Sequence, residues 1–120
     1  MLTNSSLLKK HGYVNGKWVG DDAKSRFDVT NAYSNEVIST LPDMGKKETD
    51  EAIDAANNAW PEWRSRTAKE RAIILKKWFD LIMMNQEDLA ILMTAEQGKP
   101  IAEARGEVRY GASFIEWFAE

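Results

Sequence analysis

Residues 67–100 read TAKERAIILKKWFDLIMMNQEDLAILMTAEQGKP, and they determine the architecture of the 120-residue chain. Thr67 followed three residues later by Glu70 is a capping box, which predicts that a helix begins at Ala68. Apolar residues then recur every three or four positions, as on one face of an α-helix. The members of this stripe are Ala68, Ala72, Leu75, Phe79 and Ile82, widened by Ile74, Trp78 and Leu81. The stretch therefore predicts a long amphipathic helix.

The second half of the stretch predicts another helix and a sharp corner. Asn85 is expected to cap an apolar helix, and Gly98 is expected to end it in the left-handed conformation. A P-loop requires a glycine five residues before the Gly-Lys pair and a Ser or Thr after it. Met93 and Pro100 occupy those positions. We therefore interpret Gly98-Lys99-Pro100 as a joint between two helices and not as a phosphate site.

The segment after this joint predicts a last helix that is apolar on two sides. Pro100 is expected at its first position, which proline favours. One face carries Ile101, Ala104, Val108, Ile115 and Phe118, and a second carries Tyr110, Phe114 and Trp117. The aromatic set is interpreted as core packing and not as a cofactor platform. Since no Gly or Pro marks an end and no later residues cover both sides, the pattern predicts a chain truncated from a longer protein.

Two β-hairpins and a further helix are predicted before residue 67. In YVNGKWV, residues 13–19, Asn15-Gly16 supplies the positive φ angles of a two-residue turn. In FDVTNAYSNEVISTL, residues 27–41, strands over 27–30 and 36–41 flank a turn-rich segment that Pro42 closes. Gly45 with Glu48 predicts the start of a helix, which Pro61 is expected to end.

Composition excludes several classes of function. The net charge of −3, with Lys and Arg spread among acids, gives no basic field for nucleic acid or an anionic membrane. No run reaches membrane-spanning length and no signal peptide is present, so we expect a cytoplasmic protein without nucleic acid or membrane partners. The sequence has no Cys and one His, which excludes thiolate chemistry and paired-histidine sites in these residues. We assign no catalytic and no cofactor-binding residue here.

Four short motifs stand out along the chain: NGKW at 15–18, TAKERA at 67–72, EQGKP at 96–100 and ASFIEWFAE at 112–120. Together they resemble the N-terminal region of the aldehyde dehydrogenase superfamily. The most similar branch is bacterial succinate-semialdehyde dehydrogenase, and the resemblance spans the whole chain but only the first quarter of such an enzyme. The family usually has Asn-Pro in the second hairpin turn. Ala32 follows Asn31 here, which is expected to loosen that turn.

The resemblance implies an α/β parent fold, with residues 1–120 as the N-terminal part of its NAD(P)-binding domain. Residues 1–44 would form the hairpin region and residues 45–120 the helical region. The implied reaction is the NAD- or NADP-dependent oxidation of an aldehyde, expected to be succinate semialdehyde, to the carboxylic acid. In the family a Cys thiolate attacks the carbonyl, and that group would lie after residue 120. The chain alone is therefore expected to be inactive, and the parent enzyme to be a homodimer or homotetramer.

The resemblance also implies one site within the chain, for a structural monovalent cation. Its ligands would be the backbone carbonyls of Val29 and Thr30 and the carboxylate of Glu96. Oxygen-only ligands suit a hard alkali cation. The family more often has Asp at this position, and an ordinary acid near a helix end is the alternative interpretation of Glu96.

Two other interpretations of the whole chain remain open. One is a different aldehyde dehydrogenase subfamily that acts on another aldehyde. The other is a self-contained, non-enzymatic helical interaction domain with a β-hairpin arm.

Overall fold

The computed structural model describes residues 2–120, and in this range two antiparallel hairpins precede four α-helices. After a 3₁₀ turn, Ser5–Leu7, the elements are β1 (Gly12–Val14), β2 (Lys17–Val19), β3 (Arg26–Thr30), β4 (Val37–Pro42), α1 (Lys46–Ser65), α2 (Ala68–Met84), α3 (Gln86–Gln97) and α4 (Ile101–Ala119). The predicted order of two short hairpins and then several helices is confirmed. None of the helices between residues 2 and 120 is long and apolar enough to cross a bilayer.

Both hairpins form where the sequence predicts them. In the first, Asn15 and Gly16 have φ angles of 49° and 76°, as a type I′ turn requires. The turn brings the rings of Tyr13 and Trp18 to a centroid separation of 4.9 Å. In the second, β3 pairs with β4, and an irregularity between Val29 and Thr30 interrupts the regular register. This interruption lies at one end of the predicted cation site.

Helix α1 begins as predicted but extends past Pro61. The Gly45 backbone N–H donates to Glu48 Oε2 over 2.9 Å, which starts the helix. The prediction that Pro61 ends it was wrong, because Pro61 lies inside a helix that continues to Ser65. A proline removes one backbone hydrogen bond and crowds the preceding turn, and here only residues 62–65 follow it in the helix. The end comes at Arg66, whose backbone is extended.

The capping box of α2 is confirmed. The Thr67 backbone N–H donates to Glu70 Oε2 over 2.7 Å, and the Glu70 N–H donates to Thr67 Oγ1 over 3.3 Å. The hydrogen bonds from the backbone and the hydroxyl of Thr67 lower the pKa of Glu70 below its usual value of 4.5. The capping-box residues Thr67 and Glu70 therefore account for the observed start of α2.

Two predicted helix boundaries differ from the structure. The side chain of Asn85 makes no capping bond to α3. Its Nδ2 instead donates to the Leu81 carbonyl over 2.8 Å, so this side chain stabilises the end of α2. Helix α4 begins at Ile101, which makes Pro100 the capping residue before the helix and not its first residue. Gly98, with φ of 76°, ends α3 in the predicted left-handed conformation.

The hydrophobic core is small and lies where α4 packs against α2 and α3. Its buried members are Ala90, Ala104 and Val108, with Ile82, Leu89, Met93 and Ile101 packed around them. The radius of gyration is 16.7 Å, compared with about 14 Å for a compact 120-residue domain. The accessible surface is 9139 Å², roughly 2,600 Å² more than a compact protein of this mass exposes. The chain is a flat slab that leaves much apolar surface exposed.

Two glycine substitutions are predicted to change stability in opposite directions. Gly98→Ala places a Cβ at positive φ and 3.3 Å from the Ala32 Cβ, so we expect a loss of about 1 kcal/mol or more. Gly106→Ala lies within α4 with no atom within 4 Å of the added Cβ, so we expect a gain of about 0.5–1 kcal/mol. The urea midpoint for the loss of helical circular dichroism measures both. A shift of the same sign for both variants would contradict the prediction.

Candidate functional site

The corner between α3 and α4 is fixed by backbone and side-chain contacts. The Gly98 N–H donates to the Thr94 carbonyl over 2.8 Å, and the Ala104 N–H donates to the Pro100 carbonyl over 3.0 Å. The ammonium of Lys99 forms an ion pair with the carboxylate of Glu107 in the second turn of α4. The structure therefore agrees with a joint between helices, since Lys99 is engaged by its own chain.

The second hairpin turn lies directly on the C-terminal end of α3. The Ala32 N–H donates to the Ala95 carbonyl over 3.0 Å. Within the turn, Asn31 Oδ1 accepts hydrogen bonds from the backbone N–H groups of Tyr33 and Ser34 at 2.9 and 3.0 Å. Proline at position 32 could not donate the bond to α3. The Ala32 turn is therefore well bonded, contrary to the expectation that Ala32 loosens it.

The three predicted cation ligands lie on the two elements that meet at this corner. Val29 and Thr30 form the end of β3, where the ladder is irregular, and Glu96 is in the last turn of α3. Strand β3 contacts α3, and the bond between Ala32 and Ala95 joins their ends. The side chain of Glu96 is exposed, and Val29 is half-buried.

The donor chemistry of this corner fits only a cation that accepts neutral oxygen ligands. Across residues 2–120 no three His, Cys, Asp or Glu side chains lie close enough together to hold a metal ion. A transition metal would need such a cluster. Two carbonyls and one carboxylate suit a weakly bound alkali cation, because carbonyls add dipoles without added charge.

A second surface feature is the aromatic face of α4, which consists of Tyr110, Phe114 and Trp117. These side chains are 66%, 50% and 77% exposed. Their interpretation as core packing is therefore wrong for the 120-residue chain, although the opposite face with Ala104 and Val108 is buried as predicted. The sequence pattern identified both faces, and the exposure of the aromatic one agrees with the expectation that these residues lack the elements to cover both sides.

The most regular ion pair of the helical region was not predicted from the sequence. The Arg105 guanidinium on α4 binds both carboxylate oxygens of Glu87 on α3, each at 2.7 Å. The hydrogen bond from Arg105 lowers the pKa of Glu87, and the same bond raises the pKa of Arg105. The Gln86 side chain adds a bond of 2.9 Å to the Arg105 carbonyl. Glu87 and Arg105 are 18 residues apart, and the sequence gives no signal for a pair at that separation. A Glu in the first turn of a helix is common and does not indicate a partner.

A buried carboxylate was also missed, and it holds the N-terminal segment. Asp88 is 5% exposed, and its two oxygens accept the backbone N–H groups of Thr3 and Asn4 at 2.9 and 2.6 Å. Ser39, also buried, donates to the Lys9 carbonyl over 3.2 Å. Residues 3–9 therefore connect the start of α3 to the second hairpin. The position of Asp88 in the first turn of α3 was the available signal, but it does not reveal a partner 85 residues away.

Comparison with known proteins gives one consistent result. Residues 18–120 match the sequence profile of the Aldehyde dehydrogenase family. Glutarate-semialdehyde dehydrogenase of Pseudomonas putida and the NADP(+) succinate-semialdehyde dehydrogenase of Escherichia coli K12 are each 54% identical to the chain over 99% of its length. A crystal structure of an Escherichia coli NADP-dependent enzyme superposes with a TM-score of 0.94 at 54% identity, over 99% of this chain.

The chain spans about a quarter of the length of these proteins. The share is 25% for both curated relatives and for the crystal structure. Within that quarter the match is continuous, so the hairpins and all four helices have counterparts in the larger fold.

The ion pair between Glu87 and Arg105 is predicted to make part of the stability dependent on acid. Because Arg105 lowers the pKa of Glu87 below 4.5 in the folded chain, the contribution is fully present above pH 4.5 and is lost as pH falls through the lowered value. Glu87→Gln should therefore reduce the urea midpoint at pH 7, and this difference should shrink as pH falls below 4.5. Both side chains are exposed, so the effect at pH 7 should be small.

The matched control for this experiment is Asp54→Asn on α1. Within residues 2–120 Asp54 forms no ion pair and no side-chain hydrogen bond, so its midpoint should follow that of the unmodified chain at every pH. An equal loss for Glu87→Gln at pH 7 and pH 3 would show that the pair does not act through charge.

Proposed function

The chain belongs to the aldehyde dehydrogenase family, and we propose that it is the N-terminal portion of an NAD(P)-dependent semialdehyde dehydrogenase. The observation that supports this most directly is the 54% identity over 119 residues to two semialdehyde dehydrogenases. The proposed reaction is the oxidation of succinate semialdehyde to succinate. Glutarate semialdehyde is the alternative substrate, since the relative named for it is equally similar. Both are aldehydes with a carboxylate at the far end.

In this proposal the chain supplies scaffold and not catalytic groups. When bound, the nicotinamide cofactor would supply the hydride acceptor. The 120 residues contain no Cys, so a thiolate nucleophile would come from the rest of the enzyme. These residues hold α3, α4 and the second hairpin in a fixed arrangement through the Glu87–Arg105 pair and the corner at Gly98. We place residues 1–120 in the NAD(P)-binding domain of a cytoplasmic homodimer or homotetramer.

The exposed apolar surface favours this proposal over a self-contained interaction domain. A domain that folds alone buries its large apolar side chains, and here Trp60, Trp78 and Trp117 are each at least half exposed. The excess surface of roughly 2,600 Å² is of the size that a large obligate interface covers.

The function is tested with the whole gene product that contains residues 1–120. We expect it to reduce NAD⁺ or NADP⁺ in the presence of succinate semialdehyde, measured as the absorbance of the reduced cofactor, and to prefer this substrate to acetaldehyde. Residues 1–120 alone should give no turnover. A gene that ends after residue 120, or turnover by the 120-residue chain, would contradict the proposal. A preference for glutarate semialdehyde would change the substrate and keep the reaction.

We also propose that the Val29 and Thr30 carbonyls and the Glu96 carboxylate bind a monovalent cation. The support is the meeting of β3 and α3 at this corner, together with its oxygen-only donors. The cation would neutralise the exposed carboxylate and tie the irregular end of β3 to α3. It would act on structure, because no step of the proposed reaction takes place at this corner.

The cation is predicted to raise the thermal midpoint of the whole gene product. At equal ionic strength, NaCl or KCl should give a higher midpoint than tetramethylammonium chloride, whose cation is too large for the carbonyl oxygens to surround. Glu96→Gln should remove most of this difference, and Glu103→Gln, an exposed acid in the first turn of α4, should leave it unchanged. The same salt dependence in all three proteins would exclude the site.

A further inference from the structure

Residues 3–9, which precede the first strand, are tied at both ends to other parts of the fold. At the start of this segment, two successive backbone N–H groups donate to the Asp88 carboxylate in the first turn of α3. At its end, the Lys9 carbonyl accepts a hydrogen bond of 3.2 Å from the buried Ser39 on β4. We call residues 3–9 the strap, because they bridge α3 and the second hairpin without belonging to either.

The Asp88 carboxylate is the fixed point of the strap. It is 5% exposed, and among residues 2–120 no Lys, Arg or His side chain forms an ion pair with it. Its hydrogen bonds come from the Thr3 and Asn4 N–H groups, one to each oxygen. A carboxylate offers acceptors only, and bonds of this kind are charge-assisted. An amide in its place would offer one acceptor and turn an NH₂ group toward the other backbone donor.

Asn4 makes the strap a folded unit. Its side-chain oxygen accepts the Ser6 N–H over 3.2 Å, and its carbonyl accepts the Leu7 N–H over 3.2 Å. These two bonds form the 3₁₀ turn directly behind the residue that Asp88 holds. The turn and the contact with Asp88 therefore share Asn4, so the loss of one should loosen the other.

Little apolar burial holds the strap in place. Its 3₁₀ turn contains no buried residue, and Leu7 and Leu8 are half-buried. If the strap lifts away, water replaces the two N–H groups at Asp88, so the net cost is much smaller than the gross strength of the bonds. Segments with few buried apolar contacts are the ones that open without unfolding the rest of a protein.

We propose that residues 3–9 open and close as one strap, with Asp88 as the latch. When it is closed, the strap joins the start of α3 to β4, while the bond from Ala32 to Ala95 joins the second hairpin to the other end of α3. When it is open, the second hairpin retains its connection at Ala32, and the chain around Lys9 becomes accessible. The strap is a conformational device beyond the proposed function and independent of it, because the contacts that close it lie within these 120 residues.

The test compares the whole gene product that contains residues 1–120 with its Asp88→Asn variant. Trypsin cleaves after Lys9 and Lys10 only when the surrounding residues are extended, so the cleavage rate reports the fraction of open strap. Mass spectrometry of the released peptide measures this rate under native conditions. We expect Asp88→Asn to raise it about tenfold, the effect of losing one hydrogen bond to a charged group.

Hydrogen exchange resolved to single amides distinguishes a strap from one broken contact. Asp88→Asn should speed exchange at Thr3 and Asn4, and also at Leu7, whose N–H is bonded to Asn4 and not to Asp88. Amides of α2 should exchange as before, because α2 does not take part in the latch. Asn4→Ala is a second route to the same opening. Its side chain is exposed and lies on the strap itself, so this variant leaves the helical core unchanged.

The matched control is Asp80→Asn, which makes the same chemical change at an exposed position on α2 and should leave cleavage after Lys9 at its original rate. Unchanged cleavage and exchange in both Asp88→Asn and Asn4→Ala would overturn the proposal. Faster exchange at residues 3 and 4 without a change at Leu7 would show separate contacts and no strap. Faster exchange throughout α2 in Asn4→Ala would show that the segment does not open on its own, which also contradicts the latch.

Discussion

The close packing of α3 on α4 through Ala90 and Ala104 is the contact on which the rest of the helical region depends. Both residues are fully buried, and their methyl groups allow the two helix backbones to approach closely. That separation brings the Arg105 guanidinium within reach of both oxygens of Glu87. A larger side chain at either alanine would push the helices apart, and interiors accommodate such added volume poorly. The ion pair is therefore a consequence of the small residues beneath it.

The corner at Gly98 connects the packed helices to the hairpin region. The last four carbonyls of an α-helix have no partner within it, and the Ala95 carbonyl near the end of α3 accepts the Ala32 N–H. On the opposite end of α3, Asp88 accepts two backbone N–H groups of the N-terminal segment. Helix α3 is only 12 residues long, yet each end binds a different part of the hairpin region. These polar contacts at the two ends of α3 join the hairpin region to the helices.

The sequence predicts those features that depend on neighbouring residues. The turn at Asn15-Gly16, the capping box at Thr67 and the end at Gly98 each need a particular backbone conformation that few residues adopt, so they are readable directly. The prediction that Pro61 ends α1 was wrong because one missing hydrogen bond near a helix end is tolerable. The prediction that Asn85 caps α3 was wrong because its amide can bond to either of the two adjoining helices. The bonds of Asp88, Arg105 and Ala32 join residues far apart in the chain, and periodicity carries no information on such pairs. The candidate cation ligands are harder still to predict from the sequence, since two of the three are backbone carbonyls, which every residue possesses. Only the family resemblance pointed to them.

The two faces of α4 show that apolar periodicity can predict a helix correctly without establishing which of its faces are buried. Periodicity reports that a position is apolar, and burial depends on what else is present to cover it. On the Ala104 side the chain supplies α2 and α3, and the side chains are buried. On the Trp117 side the described residues leave the aromatic side chains at least half exposed to water. The small residues face the elements that are present, whereas the large aromatics face outward.

Since large side chains contribute most of the free energy of burial, most of the stabilisation that the apolar residues of α4 can provide is still available to whatever covers it. The small core and the exposed aromatic face therefore have the same physical origin.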